Sequence, residues 1–363
     1  MSVLKPQTQK IDRWLLLLVS GLTVFGIVMV YNASVVTAFR DFGDKYFYAR
    51  QQMISVGIGL FLLFILSKIN YRRYLSLAPL FLLANIFLLL IVLIPHIGIS
   101  ALGAKRWLGF GKFSFQPAEL AKISLILYFA SYFSKRTKLI NFLGILGLII
   151  FLVMLEPDLG TTVVLVLSSL AIYFASGSPI LSLLGIGIVG FIGGVGLILA
   201  SPYRKERLLT FFDIGRDPLG ASYHIRQILL AIGSGGLFGM GLGASRQKYE
   251  YLPESMTDSI FAIISEEMGF LGAVVLILAF LFIIWRGFKI AQEAPDTFGK
   301  LLAVGITSWI GFQAMVNFAS MVALVPLTGI PLPFISFGGS SLVVVLAGVG
   351  ILLNISKYRV KKK

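Results

Sequence analysis

The sequence predicts an all-α, polytopic membrane protein of about ten transmembrane helices, with one long extracytoplasmic loop between spans seven and eight. Three observations carry this prediction. Of 363 residues, 57% are hydrophobic and 13% are charged, where a soluble domain carries about 25% charged residues. So much apolar surface cannot all be core, and left in water it would aggregate. Ten stretches are also long and apolar enough to cross a bilayer, and the segments between them divide Lys and Arg unevenly.

In order, the stretches are 14–31, 53–67 with its flanks, 75–95, 117–134, 139–155, 160–177, 180–200, 260–285, 301–325 and 341–356. The first is long, lacks an Ala-x-Ala site and is followed by further spans, so it reads as a helix and not as a cleavable leader. With the N-terminus inside, the inner segments hold Lys5, Lys10, Arg13, Lys68, Arg72, Arg73, Lys135, Arg136, Lys138, Arg286, Lys289, Lys300, Lys357, Arg359 and Lys361 to Lys363. Their only acids are Asp12, Glu293 and Asp296. Both termini are therefore expected in the cytoplasm. The chain reads as one integral membrane domain over 1–363, with a large outer loop at 201–259 and a basic cytoplasmic tail at 357–363.

That division also accounts for the net charge of +15. Nearly all of it is topological, so no nucleic-acid partner is expected. The chain has no cysteine and two histidines, His96 and His224. This excludes disulfides, iron–sulfur clusters and thiol nucleophiles, and leaves no histidine-rich metal site.

Ionisable groups near membrane depth are costly and so become functional candidates. Glu119 and Lys122 lie three residues apart at the start of span four, behind Pro117, on one helix face. They read as an interfacial ion pair or as part of a site. Lys105 and Arg106 oppose the positive-inside trend and stand beside Trp107. A guanidinium suits phosphate oxygens and an aromatic face suits a sugar, although Trp107 also fits an interfacial aromatic belt.

The long loop opens on Tyr203-Arg204-Lys205-Glu206-Arg207, a cluster for an anion or for lipid headgroups. The run Gly233 to Gly243 matches neither a Walker loop nor a dinucleotide turn. Its glycines 235, 239 and 243, four apart, suit a tightly packed or re-entrant helix. Next, Lys248 to Phe261 gathers Glu250, Glu254 and Asp258 before span eight, with Glu266 and Glu267 further inside it. A carboxylate partly withdrawn from water can act as a general base, while Thr257 or Asp258 could instead cap the helix. The Pro- and Gly-rich stretch Pro326 to Ser341 demands irregular backbone, tolerated at a membrane only inside protein or beside a wet cavity.

Together these stretches resemble the SEDS family (shape, elongation, division and sporulation), the peptidoglycan glycosyltransferases of FtsW, RodA and SpoVE type. The matching segments are 28–34, Lys105-Arg106-Trp107, 115–122, Glu156-Pro157-Asp158-Leu159-Gly160-Thr161-Thr162, 233–243, 247–258 and 329–341, in family order. Glu156 before Pro-Asp-Leu-Gly and the Ala231 to Gly236 run lean towards the FtsW-like division and sporulation branch. The family's Ala-His-Thr-Asp-Phe stands here as Ser255-Met256-Thr257-Asp258-Ser259, and its Tyr-Gln as Tyr223-His224.

The resemblance implies polymerisation of lipid II disaccharide units into glycan strands at the outer face of the cell membrane, in division or elongation. It makes Asp258 the catalytic base. Arg106, Lys122, Arg204, Arg207 and Lys248 become cations for the undecaprenyl diphosphate leaving group. Lys105, Trp107, Glu119, Gln227, Glu250, Glu254, Thr257 and Ser340 complete the expected substrate-binding set. A divalent ion, Mg or Mn, is allowed without a named ligand set, and no organic cofactor is expected. The implied partners are lipid II, undecaprenyl diphosphate, membrane lipid and a class B penicillin-binding transpeptidase. Gly305, Gly311, Ala314 and Ala319 offer a face for that partner, for lipid or for internal packing. Two other classes fit parts of the pattern. A lipid II flippase or transporter would use broken helices, but no inverted repeat is visible and the carboxylates lie at the outer edge. A non-catalytic division scaffold would not need Asp258.

Overall fold

The computed structural model describes residues 10–360 apart from 102–103, 111–112, 136–137, 200, 214, 216–219, 221 and 250–251, with backbone alone at 100, 101, 104, 110, 113, 203 and 204. It is a helical bundle. Each predicted span falls on a helix: α1 (Arg13–Phe42), α2 (Phe47–Lys68), α3 (Tyr74–Leu93), α4 (Pro117–Phe133), α5 (Leu139–Leu155), α6 (Leu159–Ala175), α7 (Ile180–Leu199), α10 (Ile260–Gln292), α11 (Thr297–Met321) and α12 (Gly339–Ser356). By length and composition, α1, α2, α3, α7, α10, α11 and α12 can cross a membrane. The other three, α4, α5 and α6, have 17 residues each.

The described residues of the long loop include two helices, α8 (Pro202–Phe212) and α9 (Tyr223–Ser234). The 96–116 connection forms a small antiparallel sheet, β1 (Gly98–Ala101), β2 (Ala104–Phe110) and β3 (Phe113–Phe115), in that order. Its strands are short and interrupted by glycine, so no alternating pattern of useful length exists to reveal them.

Charged groups gather at two ends. At one end Asp12 caps α1 through Leu15 N at 3.1 Å and pairs with Arg286 and with Arg359, the latter at 3.0 Å. Nearby, Asp296 accepts from the Tyr71 hydroxyl at 2.5 Å and from Arg72 at 3.0 Å. The charged residues among these, Asp12, Arg72, Arg286, Asp296 and Arg359, all belong to the inner set expected from the sequence. Asp258, Arg106, Glu156 and the 326–338 segment lie at the opposite end.

The core is a set of close helix contacts. Gly59 on α2 faces Leu346, and Gly350 on α12 lies against the Leu63 backbone, where a Cβ would come within 2.6 Å of its carbonyl oxygen. Small residues allow such approach where helix association rests on packing alone. Helix α11 is central and mostly buried. A Cβ at Gly305 would meet Ile126 and Ile172 at 2.6 and 2.7 Å, and Ala314 is buried. These two residues serve internal packing, which settles that part of the expected partner face.

Helix α10 is broken at Gly269, whose φ of 66° and ψ of −168° interrupt the ladder. A break frees backbone groups that need new partners. The 236–241 segment supplies them: Phe270 N donates to Gly236 O at 2.8 Å, Leu271 N to Leu237 O at 3.1 Å, Met240 N to Glu266 O at 3.0 Å and Gly241 N to Glu267 O at 3.0 Å. Gly239, at φ 82°, sits so close to the Glu267 backbone that a Cβ would collide with it. The run is thus a clamp on the kink of α10: Gly235 and Gly239 pack tightly against it as expected, but residues 235–243 form turns and not the expected helix, and Gly243 has open space around it.

Candidate active site

The turn preceding α10 is held from several sides. Phe337 N donates to Met256 O at 2.8 Å, Ser255 Oγ to Ala33 O at 3.3 Å, and Asn317 Nδ2 on α11 to the Asp258 carbonyl at 2.8 Å. Asp258 is buried, 8% exposed. Thr257 Oγ1 bonds Asp258 Oδ1 at 3.2 Å and Glu254 Oε2 at 2.7 Å. Burial, then the charge of Glu254, pushes the Asp258 carboxyl up to about 6, with the Thr257 bond and the Arg207 charge opposing. A carboxylate so placed is a base matched to neutral pH. The capping alternative fails, because Ser259 is the N-cap of α10 and no side chain caps that end.

His224 on α9 meets Ser259 Oγ at 2.8 Å. Burial, then the Arg207 charge, lowers its pKa to about 4, so it stands neutral beside the turn. Arg207 Nη1 donates to Leu327 O at 3.0 Å and so joins α8 to the 326–338 segment. That segment is strained at Phe334 (φ 66°), as the turn is at Glu254 (φ 50°); such positions gather at functional sites. Gly160 of the Glu-Pro-Asp-Leu-Gly stretch fits beneath it. A Cβ there would come within 2.9 Å of Thr328 O.

Beside this turn, α11 presents a line of polar groups. Gln313 Oε1 accepts from Lys122 Nζ at 3.1 Å and from Trp309 Nε1 at 2.8 Å, and Gln313 Nε2 donates to Pro331 O at 3.0 Å. Asn317 Nδ2 donates also to Ile330 O at 2.8 Å. Lys122 is fully buried and pairs with Glu119 at 2.7 Å. The pair is therefore interior and not an interfacial anchor.

Arg106 on β2 turns towards the α5–α6 connection. Its Nε donates to Glu156 O and its Nη2 to Pro157 O, both at 2.8 Å. Ser340 accepts from Gln116 N at 3.0 Å and ties the start of α12 to the start of α4. Gln116 in turn donates to Asp158 at 3.1 Å, and Asp158 caps α6 through Thr161 N at 2.9 Å.

Lys248 departs from the expected role. Its ammonium is buried among Asn32 Oδ1 (2.7 Å), Gly243 O (2.5 Å) and Glu267 Oε1 (3.3 Å). Glu267 also bonds Asn32, and Glu266 accepts from Ser245 Oγ at 2.5 Å and Arg246 N at 3.0 Å. This cluster braces the α10 kink, so Lys248 serves Glu267 and not a leaving group. Of the remaining expected residues, Lys105 is exposed, Trp107 and Gln227 are half-buried, and the Arg204 side chain and Glu250 lie outside the described residues. Sequence reasoning missed Gln313, Asn317 and Asn32. The first two had a signal: amides four apart in an apolar span.

A Mg ion is commonly held by one or two carboxylates together with water and substrate phosphate oxygens. Among the described residues no three carboxylates or imidazoles converge.

Comparison with known proteins places these features in a family. The family described as "Cell cycle protein", comprising FtsW, RodA and SpoVE, matches residues 13–361. Stage V sporulation protein E of Bacillus subtilis (strain 168) is 42% identical over 355 residues, covering 96% of this chain and 97% of that protein. A probable peptidoglycan glycosyltransferase FtsW of Geobacter sp. (strain M18) is 41% identical over 354 residues, covering 95% and 96%. Among solved structures, a chain of a peptidoglycan synthase complex that coordinates polymerization and crosslinking superposes with a TM-score of 0.80 at 29% identity, covering 95% of this chain and 97% of that one. The rod shape determining protein RodA of Thermus thermophilus gives 0.72 at 29% identity, covering 97% and 98%. With a match over nearly its whole length, the chain belongs to the FtsW/RodA/SpoVE family of cell cycle proteins.

Proposed function

We propose that this protein is a peptidoglycan glycosyltransferase that joins lipid II disaccharide units into glycan strands. The observation that carries the reading is the Asp258 carboxyl, buried yet bonded to Thr257, with a pKa of about 6. The glycosyltransferase naming of its relatives agrees with it. Asp258 takes the proton of the acceptor sugar's 4-hydroxyl. That oxygen forms a bond to the donor's anomeric carbon, the bond from this carbon to the diphosphate oxygen breaks, and undecaprenyl diphosphate leaves with the electron pair. Arg207, whose charge acts on the Asp258 carboxyl, is the cation proposed to meet the developing negative charge, with Lys105 of the outer face beside it in that role.

The Asp12 end, rich in cations, is assigned to the cytoplasm and the Asp258 end to the outer face, where a lipid-linked anionic substrate meets the site. A class B penicillin-binding transpeptidase is the proposed partner that cross-links the strand. The test is polymerisation of lipid II by purified protein, read as a ladder of glycan lengths. Wild type gives the ladder and Asp258→Asn gives none. Translocation of lipid II in liposomes without polymer would favour a transporter instead.

A further inference from the structure

We propose that Gln313 and Asn317 are positioning residues that hold the Lys122 ammonium and Asp258 in one fixed register, through the backbone of Ile330 and Pro331. The proposal rests on the functional reading above, in which Asp258 is the base. The two amides lie four residues apart on α11, so they share a face. Their donors bind neighbouring carbonyls, Ile330 O at 2.8 Å and Pro331 O at 3.0 Å. At one end Gln313 Oε1 holds Lys122 Nζ at 3.1 Å. At the other Asn317 Nδ2 holds the Asp258 carbonyl at 2.8 Å. Both amides are fully buried.

Buried amides are satisfied at a cost and fix one geometry when they are. An apolar residue at 317 would leave two buried carbonyls without a donor. The partners also argue against simple fold cement. One amide contacts the carbonyl of the proposed base. The other contacts a buried cation that carries its own carboxylate, Glu119. Two further oxygens beside the line, Asn317 Oδ1 and Glu119 Oε2, are buried without a hydrogen-bond partner among the described residues. The line is thus built to orient charged groups and not to saturate itself.

The experiment measures steady-state lipid II polymerisation by the full-length protein in detergent. The variants are the near-isosteric Asn317→Asp and Gln313→Glu, the pair together, and Asp258→Asn. Asn317→Asp removes the donor to Asp258 O; Gln313→Glu keeps an oxygen for Lys122 and Trp309 but loses the donor to Pro331. Each single variant is expected to lower kcat by about tenfold or more, since misplacement of a reacting group by an ångström is that costly. KM should stay within about twofold, because uniform substrate binding is intact. The double variant should be no worse than the poorer single, since both act through one segment. If either variant melts early, Asn317→Ala or Gln313→Met replaces it in the same assay. Unchanged kcat in both singles beside an inactive Asp258→Asn overturns this proposal alone, as does a loss confined to KM or a double variant whose losses multiply. Wild-type protein that makes no polymer overturns the functional reading and this proposal with it.

Discussion

The Arg106 guanidinium donates to the backbone carbonyl of Glu156 at 2.8 Å while both carboxyl oxygens of that glutamate, fully buried, receive no hydrogen bond from the described residues. Burial, then the Asp158 charge, pushes the Glu156 carboxyl up to about 8, with Arg106 opposing. An unfolded glutamate ionises near 4.5. Below that pH both states are protonated and the group contributes nothing. From there up to about 8 the unfolded chain releases the proton that the native state keeps, so stability falls as pH rises. The melting midpoint in detergent should drop between about pH 5 and pH 8, and Glu156→Gln should flatten part of that slope. An identical slope in the variant would show that Glu156 is already charged in the native protein.

The pH dependence of polymerisation should report Asp258. A base must be ionised, so activity falls as pH drops through about 6. The charge of Glu254 helps to raise that value. Glu254→Gln should therefore move the acidic limb to lower pH without abolishing activity. A limb that stays in place would remove Glu254 from the electrostatics of the site.

Lys248 and Glu267 are both buried and paired at 3.3 Å. Lys248→Met leaves the carboxylate without its cation, and breaking such a pair costs about 3–5 kcal/mol. The double variant Lys248→Met with Glu267→Gln should recover most of that loss in a thermal melt. If Lys248→Met instead melts like wild type and only weakens substrate binding, Lys248 serves the ligand after all.

The clamp on α10 makes a contrast among glycines. Gly239→Ala forces a Cβ into the Glu267 backbone at a positive φ, and should cost at least the roughly 1–3 kcal/mol of a strained backbone. Gly233→Ala, in helical α9 with open space around it, should be neutral or slightly stabilising. Equal melting of the two variants would mean that the clamp is not close-packed.

Much of this architecture is legible in the residues themselves. Hydropathy alone locates each of the ten helices, because long apolar runs admit few other readings. The asymmetry of Lys and Arg groups Asp12, Arg286, Arg359 and Asp296 before any contact is known. What stays hidden depends on contacts between distant segments. Lys248 stands ten residues before Asp258, and the family resemblance gives it to the leaving group. The chain between them turns so that the ammonium meets Asn32 and Glu267 instead. Arg106 reads as a phosphate ligand until the α5–α6 turn offers it two carbonyls. Gln313 and Asn317 look like isolated polar residues because their partners, Lys122 and the Ile330-Pro331 backbone, come from other segments.

The central claim is that Asp258 is the base of a glycan polymerase. The most direct measurement is lipid II polymerisation by purified full-length protein, wild type against Asp258→Asn, with intact folding checked by melting. Loss of a general base typically removes about 10²–10⁴-fold of rate, so wild type should yield long glycan strands and the variant none within the assay. A variant that polymerises at the wild-type rate would contradict the account.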